Sequence, residues 1–110
     1  MKRTKYSTDF TLSWNEFEKH TGFSSPNIQQ NLLFAQHLVE CAKEKLNKQG
    51  WICMNDVREL FGYPPVLKYQ TRIYFKEFGD EPVKVEIAEN KLGIVVTMKN
   101  YIDLCDGPIK

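Results

Sequence analysis

The sequence has few arginines and no excess of charge of either sign. Its 110 residues include 15 Lys or Arg and 14 Asp or Glu, which leaves a formal net charge of +1. Arginine occurs only at Arg3, Arg58 and Arg72, although it is the side chain best suited to bidentate recognition of phosphate and guanine. This composition excludes a polycation that binds nucleic acid by charge alone, and it argues against sequence-specific reading of DNA.

Motifs for metal binding and catalysis are also missing. The chain has no Cys-x-x-Cys pair, no His-Glu-x-x-His, no Gly-x-Ser-x-Gly and no glycine-rich phosphate loop. His37 and Cys41 lie four residues apart on a predicted helix and could share a metal ion, with Glu40 or Glu44 as further ligands. Because Cys41 belongs to an apolar stripe, we instead expect it in the core, with His37 at the margin. We predict no catalytic residue, no metal and no cofactor.

Cysteines are few, and no apolar run is long enough to cross a membrane. The three cysteines form an odd set, whereas secreted disulfide scaffolds carry dense, even sets. Cys41 and Cys53 lie in apolar stretches, where a thiol behaves as a small hydrophobic group and not as an exposed nucleophile. No run approaches about 18 apolar residues. We therefore predict reduced thiols, no enzymatic activity, no membrane contact and a cytoplasmic location.

The N-terminal third begins with a polar segment and a helix signal. Residues 1–12 predict a flexible arm. Ser13 and Glu16 have the spacing of a capping box, which predicts a short helix over residues 14–20. Gly22 would end that helix in a left-handed conformation.

A long amphipathic helix is predicted over residues 26–49. Ser25 would be its N-cap, Pro26 its first residue and Gly50 its end. Apolar residues recur along it at spacings of three and four: Ile28, Leu32, Ala35, Val39, Ala42 and Leu46. This wide stripe predicts a helix central to the core, and it also leaves a homodimer through that face open.

A strand over residues 51–54 and a helix over residues 56–61 are predicted next. Asn55 would cap this helix, and Gly62 would stop it. The spacing of apolar residues then changes from the helical pattern of three and four to strict alternation with polar residues.

Alternation over residues 71–98 predicts a three-stranded antiparallel meander with one apolar face. Residues 100–110 would form a tail. The whole pattern predicts a single α+β domain over residues 1–110. In it the helical part, residues 13–62, packs a long central helix and short helices on the meander.

The outer face of the predicted meander is the first candidate binding site. Arg72, Tyr74, Lys76 and Phe78 would point outward on its first strand, beside Lys84 on the second. Aromatic rings with basic neighbours can anchor a protein partner or stack on bases. The alternative is that Tyr74 and Phe78 pack under the N-terminal arm or the first helix.

A second candidate lies in the loop after the third predicted helix. This loop contains Tyr63 followed by Pro64 and Pro65, and Tyr69 is close in sequence. The alternative is a rigid turn with a half-buried Tyr63. Partner-binding residues are therefore predicted at these positions: Tyr63, Arg72, Tyr74, Lys76, Phe78 and Lys84.

The order of elements resembles that of a winged helix. Residues 50–57, Gly-Trp-Ile-Cys-Met-Asn-Asp-Val, look like the strand that enters the second helix of that fold. A hairpin with residues 79–82 at its tip would be the wing. The resemblance implies a small DNA-binding transcriptional regulator with Arg72, Lys76 and Lys84 on phosphates. The two prolines after Phe61 leave little room for a recognition helix.

The segment from Gln49 to Gly62 is similar to one found in small accessory proteins of phages and prophages. It combines Gly, an aromatic residue and Ile with Asn-Asp and then Leu-x-Gly. The resemblance covers less than half of the chain and carries over no functional residue. It implies action by binding, as a virion or assembly component or as an inhibitor of a host defence system such as a CRISPR effector. The location would then be the host cytoplasm.

The leading prediction is a small non-enzymatic binding protein of phage or mobile-element type that acts by protein–protein contact. The alternative is the winged-helix-like regulator, for which nucleic acid would be the partner.

Overall fold

The computed structural model describes residues 4–105, which form three α-helices and five strands. The chain has an α+β fold, as the sequence predicts. Two short 3₁₀ helices, Leu67–Thr71 and Lys76–Phe78, flank the third strand. The other elements follow in chain order: β1 (Tyr6–Ser13), α1 (Trp14–Thr21), α2 (Ile28–Gln49), β2 (Trp51–Cys53), α3 (Met54–Leu60), β3 (Arg72–Phe75), β4 (Val83–Ile87) and β5 (Gly93–Asp103).

The five strands form one antiparallel sheet in which β5 pairs with three other strands. β1 pairs with β5 from Ser13 opposite Gly93 to Tyr6 opposite Tyr101. β4 also pairs with β5, and β3 pairs with the last two residues of β5. β2 is hydrogen-bonded to β3, which gives the order β1-β5-β3-β2 with β4 attached to β5.

Residues 6–13 belong to this sheet, so the prediction of a flexible arm over residues 1–12 is wrong there. Polar Asp9 and Thr11 alternate with Phe10 and Leu12, and Leu12 is fully buried. The strand approaches β5 so closely that a Cβ atom on Gly93 would clash with the Leu12 carbonyl. Residues 1–3 of the predicted arm lie outside the described residues.

The predicted meander is present only in part. β3 ends at Phe75, the chain turns through residues 76–79, and β3 and β4 each pair with β5 rather than with each other. The Lys76 amide donates to the Gly50 carbonyl (2.9 Å), which directs the end of β3 towards β2. The hairpin expected around residues 79–82 therefore does not form.

β5 extends beyond the predicted meander into the predicted tail. Asn100 adopts a φ of 55°, and the register between β1 and β5 shifts at this point. The kink lets pairing continue through Tyr101 and Ile102, both of which are buried. The last part of the predicted tail, residues 106–110, lies outside the described residues.

Local signals place the helices well. The Ser13 Oγ accepts from the Glu16 amide (3.2 Å), and the Glu16 carboxylate accepts from the Ser13 amide (2.9 Å), so the predicted capping box forms. Gly22 and Gly50 end α1 and α2 at positive φ, as predicted. The N-cap of α2 is Asn27, two residues after the predicted Ser25.

The buried face of α2 packs on the sheet and on α3. Ala35, Val39, Ala42 and Leu46 lie in one core cluster with Ile94, Val96 and Met98 of β5. The sheet of the same chain thus covers the stripe that suggested a homodimer through this helix.

Candidate functional site

Two arginines and three tyrosines alternate in one stack on the protein. The Arg58 Cζ lies 4.5 Å from the Tyr63 ring centre and 4.9 Å from that of Tyr69. The Arg72 Cζ lies 4.9 Å from the Tyr69 ring centre and 6.0 Å from that of Tyr101. We call these five residues the arginine–tyrosine patch. Each guanidinium lies over two of the rings, an arrangement that holds the cation by its attraction to the π-face.

The patch concentrates residue types that are scarce in the chain. It holds both arginines of the described region and three of the five tyrosines in the sequence. Arg58, Tyr63, Tyr69 and Arg72 are half-buried, and Tyr101 is buried at one end of the stack. Arginine and tyrosine are the residue types most enriched, with tryptophan, among energetically dominant interface residues.

A buried asparagine holds the loop of the patch against α3. The Asn55 Oδ1 accepts from the Val66 amide (2.9 Å), and its Nδ2 donates to the Val66 carbonyl (2.9 Å) and to the Gln70 Oε1 (2.7 Å). Asn55 is 2% exposed. Asn55 lies in the first turn of α3 and is not the predicted N-cap, because Cys53 occupies that position. This clamp sets Tyr63 and Tyr69 on either side of Arg58.

The end of α1 holds Tyr63 from the other side. The His20 ring stacks on the Tyr63 ring with centres 4.3 Å apart. Gly62 has a φ of 86°, and a Cβ atom at this position would clash with the His20 backbone. Glycine is thus required for the turn to pass this close to α1. Burial raises the pKa of the Tyr63 hydroxyl, with the Glu16 carboxylate adding to the rise and Arg58 opposing it.

The two arginines of the patch differ in their charge environment. The Arg72 Nε lies 3.6 Å from the Asp103 Oδ2, whose carboxylate is also held by the Thr71 hydroxyl. No ion pair within residues 4–105 involves Arg58. The Arg58 Nε is buried and has no hydrogen-bond acceptor. The patch consequently carries an uncompensated positive charge at Arg58.

The rim of the patch is exposed and partly apolar. Leu67 is 89% exposed, and Pro64, Pro65 and Lys68 are exposed beside it. The Lys68 Nζ lies 5.1 Å from the Tyr69 ring centre. A concavity of about 620 Å³ adjoins the stack and is lined by Leu67, Lys68, Gln70, Thr71, Arg72, Asp103 and Cys105.

The structure does not bring the six predicted site residues together in one place. Tyr63 and Arg72 lie in the patch. Tyr74 is 2% exposed, so its predicted outward orientation is wrong. Its neighbour Ile73 is also buried, so side chains on both faces of β3 are covered. Burial, aided by nearby carboxylates, raises the pKa of the Tyr74 hydroxyl.

Phe78 lies with Tyr74 and not in the patch. Its ring centre is 5.6 Å from that of Tyr74, and the Lys5 Nζ covers it at 4.1 Å. Phe78 is half-buried against the core, which agrees with the packing alternative for these two rings. Lys76 is exposed in the 3₁₀ helix after β3.

Lys84 lines a separate groove between α2 and β4, with a volume of about 620 Å³. Its Nζ lies 3.6 Å from the Glu86 carboxylate. On the α2 side, the Lys43 Nζ is bound to Glu40 (3.2 Å) and to Glu81 (3.4 Å). Two of the three lysines that line this groove are therefore paired with carboxylates, and the third, Lys99, has no ion pair within residues 4–105.

Sequence reasoning missed Arg58, which lies between two rings of the stack, together with Phe10 and Tyr101. Phe10 lies in β1, and its ring centre is 5.3 Å from the Arg58 Cζ. Both aromatic residues lie in segments predicted as an arm and a tail. A signal was present nonetheless, because two of the three arginines and two of the five tyrosines fall within residues 58–72.

The three cysteines of the described region are free thiols that differ in burial: Cys53 is buried, Cys41 is half-buried and Cys105 is exposed. Burial raises the pKa of the Cys53 thiol, which disfavours the nucleophilic thiolate. The Cys41 Sγ and the His37 Nε2 are 3.9 Å apart on the exposed side of α2. Within residues 4–105, no three His, Cys, Asp or Glu side chains are grouped so that they could hold a metal ion.

Comparison of the chain with protein-family models, with curated proteins and with solved structures finds no match. Among residues 4–105, no helix has the length and apolarity needed to span a membrane.

Proposed function

We propose that this protein is a non-enzymatic binding protein that occupies a surface of a protein partner through the arginine–tyrosine patch. The observation that carries the proposal is the stack itself: Arg58 lies between Tyr63 and Tyr69 and is not neutralised within the described chain. The resemblance of residues 49–62 to phage accessory proteins is the ground on which we propose a phage or mobile-element setting for this activity. There it would inhibit a host defence system such as a CRISPR effector or serve as a virion or assembly component.

Rigidity supports this use of the patch. Tyr and Arg side chains that are already stacked lose little conformational entropy when a partner covers them. Asn55 and His20 hold the loop from two sides, so the rings are positioned before binding. The exposed rim at Leu67 and Pro65 offers apolar area around the charged centre.

The same observations move the proposed contact surface away from the outer face of the predicted meander. Tyr74 and Phe78 pack into the protein, while Lys76 and Lys84 lie outside the patch. We retain Tyr63 and Arg72 as contact residues and add Arg58 and Tyr69.

The alternative, a winged-helix-like DNA-binding regulator, receives less support. Between Phe61 and β3 the chain forms only a 3₁₀ helix, Leu67–Thr71, where a recognition helix would be needed. The hairpin that would serve as the wing is replaced by separate pairing of β3 and β4 with β5. Arg72 is already bound to Asp103, which reduces its availability for phosphate.

Affinity purification from a nuclease-treated host lysate tests the proposal. Tagged wild-type protein is compared with Tyr69→Ala, which removes the ring shared by both arginines, and with Lys84→Ala as a matched control on the groove. Circular dichroism and a thermal melt confirm that each variant is folded. We expect one stoichiometric protein partner with the wild type and Lys84→Ala, and its loss with folded Tyr69→Ala. Recovery of nucleic acid alone from untreated lysate would contradict the proposal, as would equal capture by all three proteins.

A further inference from the structure

We propose that Arg58 is a carboxylate-binding residue that receives an Asp or Glu side chain of the protein partner; this inference rests on the proposed function. Its evidence is the position of the Arg58 guanidinium. Tyr63 and Tyr69 lie within 4.5 and 4.9 Å of its Cζ, and Phe10 lies 5.3 Å away. With its faces occupied by rings, the guanidinium has its edge N–H groups left for a ligand.

The donors of Arg58 are incompletely satisfied. Its Nε is buried without an acceptor, an arrangement that native proteins seldom retain without a compensating reason. A guanidinium has five N–H donors in a planar fork, which matches the two oxygens of a carboxylate. A partner carboxylate would bind the terminal Nη groups, because the buried Nε is closed to it, and would supply the missing counter-charge.

Arg72 is a second arginine in the same stack, and its charge partners can be compared with those of Arg58. It stacks on the same Tyr69 ring at the same distance from its Cζ, 4.9 Å, as Arg58 does. Yet Asp103 lies 3.6 Å from its Nε. The chain thus provides a carboxylate for one arginine of the stack and, within residues 4–105, leaves the other without one.

The surrounding charge favours a few carboxylates over a nucleic-acid backbone. Lys68 is the additional cation on the patch. Asp103 neutralises Arg72, and the Glu16 carboxylate lies close enough to raise the pKa of Tyr63. Binding to a polyanion depends on several cations that neutralise successive phosphates. One guanidinium and one ammonium instead fit a protein segment with one or two acidic side chains.

Titration of the full chain with a hexaglutamate peptide tests this inference. The Nε–Hε signals of ¹⁵N-labelled protein are followed by NMR, and the Arg58 signal is identified by its loss in Arg58→Gln. We expect a saturable shift of the Arg58 signal. We also expect an affinity about tenfold lower in Arg58→Gln, the loss typical of a charge-assisted hydrogen bond. Lys84→Gln removes the same charge outside the patch and should leave the affinity unchanged.

Three results would overturn the inference: no shift at Arg58, equal loss of affinity in Lys84→Gln, or tighter binding of an oligothymidylate at Arg58 than of hexaglutamate. Hexalysine provides the charge control and should not shift the signal. Failure of the proposed function and failure of this inference give different results. If capture of the partner depends on Tyr69 but hexaglutamate does not bind, the patch is an interface without carboxylate recognition. If hexaglutamate binds but no captured protein depends on the patch, the proposed function fails.

Discussion

The arginine–tyrosine patch and the groove between α2 and β4 both carry cationic side chains, but they hold them differently. In the groove, Lys43 is bound to Glu40 and Glu81, and Lys84 to Glu86. In the patch, Arg58 lies between aromatic rings with no ion pair from the described residues. Lys43 and Lys84 are thus neutralised on a solvated surface, although Lys99 on the same groove has no ion pair within residues 4–105. The patch keeps a fixed charge that a partner can neutralise.

The two regions differ equally in how firmly their side chains are placed. Long lysine side chains in exposed ion pairs retain much of their freedom and contribute little to stability. The patch is fixed by the Asn55 clamp on Val66 and by the stacking of His20 on Tyr63. This contrast indicates which of two surfaces with basic residues is prepared for binding, and it yields the following expected outcomes.

The largest effect is expected at the clamp that holds the patch. Asn55→Ala leaves the Val66 amide without its acceptor, whereas the Val66 carbonyl still accepts from the Tyr69 amide (3.0 Å). An unsatisfied amide costs about 1–3 kcal/mol and the hydrogen bond to the Gln70 Oε1 is lost as well, so we expect a loss of about 2 kcal/mol in the free energy of unfolding. Asn47→Ala, at an exposed position of α2, should change it by no more than about 0.5 kcal/mol. Urea unfolding measures both variants, and equal effects would disprove the clamp.

Substitutions of the two arginines of the patch should change the free energy of unfolding by different amounts. Arg72→Met removes the ion-pair partner of Asp103, which keeps its hydrogen bond from the Thr71 hydroxyl, and we expect a loss of about 1 kcal/mol. Arg58→Met keeps the packing volume and removes an unpaired charge, so we expect a change within about 0.5 kcal/mol. The same urea experiment compares them. A larger loss for Arg58→Met would mean that its role is structural.

Acid should weaken the start of α3, the helix that carries Arg58. Burial acts to raise the pKa of Asp56, but the Lys45 ammonium at 2.6 Å and the Cys53 amide at 2.9 Å lower it more, to below its ordinary value. A carboxyl with a lowered folded-state pKa stabilises the fold above its unfolded pKa, about 4. That stability is lost as the pH falls through the lowered value.

Asp56→Asn should therefore cost about 1 kcal/mol at pH near 6.5, the usual value of a helix cap, and less at pH near 3. Urea unfolding at the two pH values measures the difference. Asp9→Asn, on the exposed part of β1, serves as the surface control. If the cost of Asp56→Asn were equal at both pH values, the ion pair with Lys45 would not contribute.

The smallest effect is expected in the groove. The Glu40 and Glu81 carboxylates raise the pKa of Lys43, with the hydrogen bond to Glu40 as the main cause. These partners are exposed, so Lys43→Ala should cost at most about 0.5 kcal/mol and leave partner binding unchanged. Thermal melts and the affinity for the captured partner measure the two quantities. A large loss of affinity would move the interface from the patch to the groove.

Local signals in the sequence predicted much of the helical structure. Ser13 with Glu16, and the glycines at positions 22 and 50, act through contacts within one or two turns, so their spacing is sufficient. β1 and the end of β5 were missed because their pairing, Tyr6 with Tyr101, joins the two ends of the chain. No local pattern in either segment reveals that partner.

The candidate site was predictable only in part for a related reason. Alternation identified the two faces of β3, but it could not reveal that both are covered, and so Tyr74 was placed outside. Tyr63, Tyr69 and Arg72 were identified by residue type. The stack around Arg58 needs α3, the loop after it and β1 together, and the sequence alone does not bring those elements into contact.

Hydrogen–deuterium exchange of the protein, with and without its captured partner, tests whether the arginine–tyrosine patch is the surface that binds the partner. We expect slower exchange in residues 58–72 on binding and unchanged exchange in the α2 segment that lines the groove, residues 33–43. Protection of residues 33–43, with no change in residues 58–72, would contradict this expectation.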